Sequence, residues 1–134
     1  MSLETLNLTK NQQTVLDILE SASEPLKAYT ILFDIQKKGI KSPLQVYRAL
    51  DKLIEIGKVH KIESRNSYVA CKHEGCNAKT SPSFLICENC DSVTELTGNN
   101  LISYFSKQAE ENNFNYKKHN LEIFGLCENC KLKN

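Results

Sequence analysis

The chain has 134 residues, 40% of them hydrophobic, with six cysteines and a net charge of +1. Such a length buries one moderate core or two small ones, and a unit under about 70 residues usually needs a staple such as a metal. Its first residues lack the basic and apolar regions of a secretory leader, and no apolar run approaches the roughly 18 residues of a membrane span, so a cytoplasmic protein with no membrane partner is expected. There thiols stay reduced, and paired cysteines hold metal more often than they form bridges.

In chain order, "LTKNQQTVLDILESA" predicts a helix capped by Thr9, with Gln12 at the capping-box position and an apolar stripe of Val15, Ile18, Leu19 and Ala22. Pro25 ends it. A second helix follows in "KAYTILFDIQKKG", with Ile31, Leu32 and Ile35 buried and Gly39 as its stop. The third, "KSPLQVYRALDKLIEIG", has Ser42 as N-cap, Pro43 at the first helical position and Gly57 at its close. Val46, Leu50, Leu53 and Ile54 share one face, and Gln45, Arg48 and Lys52 lie on the other.

"KVHKIESRNSYVAC" then reads as a β-hairpin turning at Ser64, Arg65 and Asn66. Three helices and a hairpin make a winged helix-turn-helix, whose third helix fits a DNA major groove. Charge supports that reading. Residues 36–61 carry seven Lys and Arg against Asp51 and Glu55, a local excess of five positive charges on the third helix, its approach and the wing. A cluster of this kind is also compatible with a solvated helix face, and winged helices also serve as protein-interaction modules.

The tetrapeptide CENC occurs twice, at Cys87 to Cys90 and Cys127 to Cys130, with 36 residues between. Two such turns complete the tetrahedral four-thiolate shell that structural zinc prefers, so the repeats read as two halves of one site; redox motifs or a disulfide are the competing readings. Between them, "FLIC" and "SVTEL" predict short strands. A helix is expected with Leu101, Ile102, Phe105 and Ala109 on one face, followed by a strand in "NYKKHNLEIFG" with His119, Leu121 and Ile123 inward. Cys71, His73 and Cys76 lie in a loop between the two units, and with His60 and Glu95 they supply a second set of candidate zinc ligands.

The stretches "SPLQVYRALDKLIEIGKVHKIESRNSYVAC", "FLICENCDSVTE" and "HNLEIFGLCENC" resemble the ferric uptake regulator family, most closely its zinc uptake regulator branch. The resemblance implies a dimeric, metal-dependent repressor and matches Cys87, Cys90, Cys127 and Cys130 to its structural site. His60, Cys71 and Glu95 match ligands of its sensory site at the interdomain hinge, and Tyr29 and Arg48 match residues that contact DNA. Where close relatives carry a histidine seven residues before the first CxxC, this chain has Thr80, which is not a zinc ligand. In other relatives a histidine follows the hinge cysteine by five residues. That position is Cys76 here, taken as the fourth regulatory ligand with His73 in reserve. His119 matches a position that binds metal in some relatives, but the acidic partner expected on the helix is Ile102, so a packed or hydrogen-bonded histidine is expected.

The expectation is therefore an α+β chain. A winged-helix DNA-binding domain spans residues 1–70, a hinge loop 71–83, and a zinc-stapled α/β dimerisation domain 84–134. It would be a zinc-responsive repressor of zinc-uptake genes, not an enzyme, holding two zinc ions per chain and binding palindromic double-stranded operator DNA as a homodimer. Tyr29, Lys41, Gln45, Arg48, Lys52 and Lys58 are the expected DNA contacts. The alternatives are a relative sensing iron, cobalt or nickel, and an interaction module with structural zinc only.

Overall fold

The computed structural model describes residues 7–72, 81–96 and 100–132. The chain divides into two compact units, Met1–Cys71 and Lys72–Asn134.

In the first unit, α1 (Lys10–Ser21) starts at Thr9 with both arms of the capping box formed: Gln12 N donates to Thr9 Oγ1 at 3.1 Å, and Thr9 N to Gln12 Oε1 at 3.0 Å. Val15, Leu16 and Leu19 are its buried residues, while Ile18 and Ala22 are only half-buried. Leu16 joins because it lies a turn from Leu19 on the side facing α2 and α3, which a stripe drawn through Ile18 and Ala22 misses. After the two-residue strand β1 (Leu26–Lys27) comes α2 (Ala28–Gln36), ending before Gly39 at φ 96°. Positive φ is open to glycine at little cost. Helix α3 (Pro43–Glu55) has Ser42 as N-cap and buries Val46, Ala49, Leu50 and Leu53; Leu32 and Ile54 are half-buried at the rim of the core.

The wing is β2 (Val59–Ile62) and β3 (Ser67–Ala70), joined by a 3-10 turn with Asn66 at φ 47°. β1 adds to β3, giving the antiparallel order β1-β3-β2. The strand β1 is not legible in the sequence, because two residues carry no alternation. It also anchors the wing, since Lys27 Nζ and Ser67 Oγ each donate to the Arg65 carbonyl at 2.9 Å.

The second unit contains β4 (Ser83–Cys87), β5 (Val93–Glu95), α4 (Asn100–Glu111), β6 (Leu121–Gly125) and α5 (Glu128–Lys131). Its sheet runs β5-β4-β6, with β5 antiparallel and β6 parallel to β4. Phe84 and Ile86 are each 2% exposed, whereas no residue of α4 is fully buried. The last strand is shorter than expected. It begins at Leu121, so His119 precedes it, and Ile123 faces outward at 41% exposure instead of inward.

Candidate metal centres and nucleic-acid interface

Parallel pairing of β4 with β6 sets Cys87 opposite Gly125. The chain leaving each strand then enters its own CENC turn, so both turns arise at the same end of the same strand pair. Asp91, at φ 63°, lets the first turn double back, and Cys87 N bonds Ser92 O at 2.9 Å. The second turn is the first turn of α5, with Cys127 as its N-cap.

One sulfur from each of Cys87, Cys90, Cys127 and Cys130 lies within 4.8 Å of all the others. Cys90 Sγ and Cys127 Sγ are 3.8 Å apart. A tetrahedral shell with Zn–S of about 2.3 Å requires sulfur separations of about 3.8 Å, so the four residues fit such an ion. Cys87 and Cys130 are buried, Cys127 is half-buried and Cys90 is exposed.

The thiols also differ in acidity. Backbone N–H groups of Cys127 and Cys90 bring Cys87 down to about 6, against burial. Hydrogen bonds from the Cys130 backbone and side chain lower Cys127. At Cys130 the Asn89 amide pulls downward, but the Cys127 side chain, burial and the other two thiols outweigh it and push Cys130 up to about 11. Sulfurs this close cannot all ionise until a cation balances them.

In the first unit, His60 on β2 is buried at 4% exposure. Cys71 N bonds Lys58 O at 3.0 Å, extending the hairpin ladder by one residue, and the His60 and Cys71 ligand atoms come within 4.8 Å of each other. Cys71 itself is half-buried. Glu95 closes β5 in the second unit and is half-buried. Cys76, its reserve His73 and Thr80 lie outside the described residues.

His119 donates or accepts at both ring nitrogens: Nδ1 is 2.6 Å from Tyr116 Oη and Nε2 is 3.0 Å from Ser83 Oγ. It is a hydrogen-bonded histidine, as expected, and burial lowers its pKa.

Of the expected DNA contacts, Tyr29 on α2 is 70% exposed, and Lys41, Gln45, Arg48 and Lys52 are exposed along α3 and its approach. Lys58 is half-buried. Lys52 Nζ pairs with Glu55 at 3.4 Å, an exposed contact of little energetic weight. Leu44 and Tyr47, at 56% and 41% exposure, share this outward side of α3 and were missed. The available signal is helical spacing, since Leu44, Tyr47 and Arg48 sit at i, i+3 and i+4.

The family model for the ferric uptake regulator family matches residues 4–124. The zinc uptake regulation protein of Escherichia coli (strain K12) is 33% identical over 126 residues, covering 93% of this chain and 73% of that protein. Among solved structures, a zinc uptake regulator complexed with zinc and DNA is 30% identical with a TM-score of 0.85, covering 97% of this chain and 87% of that one. The crystal structure of holo XcZur is 38% identical with a TM-score of 0.83, covering 96% and 89%. A match of this extent, over both the winged-helix unit and the four-cysteine unit, places the chain in the ferric uptake regulator family, on its zinc uptake regulator branch.

Proposed function

We propose that the chain is a zinc-responsive transcriptional repressor that binds palindromic operator DNA as a metal-loaded homodimer and controls zinc-uptake genes in the cytoplasm. The observation that carries this reading is the near full-length match to a zinc uptake regulator complexed with zinc and DNA. It is a regulator and not an enzyme.

Cys87, Cys90, Cys127 and Cys130 hold the structural ion, supported by the sulfur spacing above. His60, Cys71 and Glu95 hold the regulatory ion, with Cys76 as fourth ligand and His73 in reserve, which makes two ions per chain. Zinc supplies a closed, redox-inert tetrahedral node at each place. Thiolate ligands favour it over ferrous iron, which prefers harder donors.

Arg48 and Gln45 reach base edges from α3, and Tyr29, Lys41, Lys52 and Lys58 contact the phosphate backbone. The homodimer forms through the second unit, where α4 buries no residue completely and Leu85, Ile123 and Phe124 stand 41%, 41% and 47% exposed. Apolar surface of this kind is normally covered by a partner.

Metal content per reduced chain, measured alongside operator binding with and without a chelator, tests the proposal. Two zincs and chelator-sensitive operator binding are expected. One zinc and chelator-insensitive behaviour would instead indicate an interaction module with structural zinc only. Repression in cells by iron, cobalt or nickel, and not by zinc, would reassign the regulatory metal.

A further inference from the structure

Asn89 lies within the first CENC turn but makes its contact in the second: its Nδ2 is 3.3 Å from Cys130 Sγ, across 41 residues of chain. An amide nitrogen is a donor only, so the sulfur accepts. The sequence repeat gives Asn129 the equivalent place in the other turn; both asparagines are exposed, and among the described residues only the Asn89 amide bonds a sulfur of the opposite turn. The two halves of the motif are therefore alike in sequence and unequal in structure.

Four thiolates around a dication leave a net charge of about −2 on the group. Solvent can disperse that charge at the exposed Cys90 but not at Cys130, which is 5% exposed. An N–H donor at the buried sulfur performs the same service from within the protein. The bond also ties one turn to the other independently of the ion.

We infer that Asn89 is a positioning residue for the four-thiolate site: its side-chain amide holds Cys130 Sγ toward the other three sulfurs and draws charge from it, so that the site retains zinc more tightly. The inference rests on the proposal that these four cysteines hold zinc.

The test uses the full chain with Cys71 and Cys76 replaced by Ser, so that only four thiols remain. Asn89→Ala, Asn89→Asp and Asn129→Ala are compared in this background by zinc competition against a chromophoric chelator and by the spectrum of the cobalt(II) form. Asn89→Ala should weaken zinc retention by about 10- to 100-fold, the usual effect of losing a ligand's hydrogen-bond partner. Asn89→Asp should do so at least as strongly, since it sets a carboxylate beside a thiolate, and Asn129→Ala should match the parent. The thiolate-to-cobalt charge-transfer band should move to lower energy in Asn89→Ala, because a sulfur without its N–H donor gives up an electron more easily. Unchanged affinity overturns the inference, as does weakened affinity with an unmoved band, which would assign Asn89 to turn stability alone. A parent lacking thiolate bands would overturn the four-cysteine assignment beneath it.

Discussion

Arg48 projects from α3 with Tyr47 and Leu44 on the same exposed side. A guanidinium in a major groove can pair with guanine O6 and N7, and each such pair contributes about 1 to 3 kcal/mol of discrimination. Arg48→Ala should therefore lower the ratio of operator to non-specific binding by about 10- to 100-fold. Lys41→Ala should weaken both kinds of site alike and flatten the salt dependence, because phosphate contacts act through counterion release. Titrations on operator and scrambled duplexes at several salt concentrations separate the two, and an unchanged ratio in Arg48→Ala removes its base-reading role. At His119 the prediction concerns pH. Burial lowers its pKa from the ordinary 6.5, so between the folded and unfolded values the unfolded chain binds more protons than the native one. Its contribution to stability is present above about pH 6.5 and is lost as the pH falls below it. His119→Gln keeps a hydrogen-bonding group and removes the titration. Wild type should lose stability relative to this variant as the pH drops from about 6.5, in melts run side by side; parallel curves would show that His119 does not titrate on unfolding.

At the level of elements, β4 and β6 are fastened at both ends. Ser83 Oγ meets His119 Nε2 where the two strands begin, and the four sulfurs meet where they end. Two short strands with little fully buried apolar surface around them depend on such fastenings. Cys130→Ser should release the structural ion and disorder the second unit, because the binding free energy at such sites, on the order of 10 kcal/mol in zinc-finger peptides, is also folding free energy. Zinc content and circular dichroism check this, and a folded zinc-free dimer would refute the assignment. The first unit should keep its helices in the same variant. Its core from α1, α2, α3 and the wing includes Val15, Ile31, Leu50 and Val59, all fully buried, and needs no ion.

For the whole molecule, the proposed regulatory ion would draw His60 and Cys71 from one unit and Glu95 from the other. An ion shared among them would favour one arrangement of the recognition helices. It shifts operator affinity only by its preference for that arrangement, about 1.4 kcal/mol for each tenfold change, and operator DNA must tighten zinc binding by the same factor. Reduced Cys71→Ser should remain a folded dimer with one zinc per chain while losing the zinc-dependent part of operator binding. Full zinc response in that variant would end the regulatory assignment.

Helices α1 to α4, the caps at Thr9 and Ser42 and the pairing of the two CENC turns were legible in the sequence alone. Thr9 with Gln12, Ser42 with Pro43, and the glycines at 39 and 57 act over a few residues, and four thiols at Cys-x-x-Cys spacing have few other uses in a reduced chain. Tertiary structure decided the rest. Strand β1 exists only because β3 offers it an edge, and Leu16 is buried only because α1 packs against α2 and α3. The parallel register of β4 with β6, which sets Cys87 opposite Gly125, brings together residues far apart in the chain, beyond the reach of any local pattern. The same pairing gives the Asn89 amide a sulfur of the opposite turn to hold, although the two tetrapeptides are identical. Local signals are set by neighbours within a turn or two, whereas each of these contacts is set by which distant segment arrives alongside.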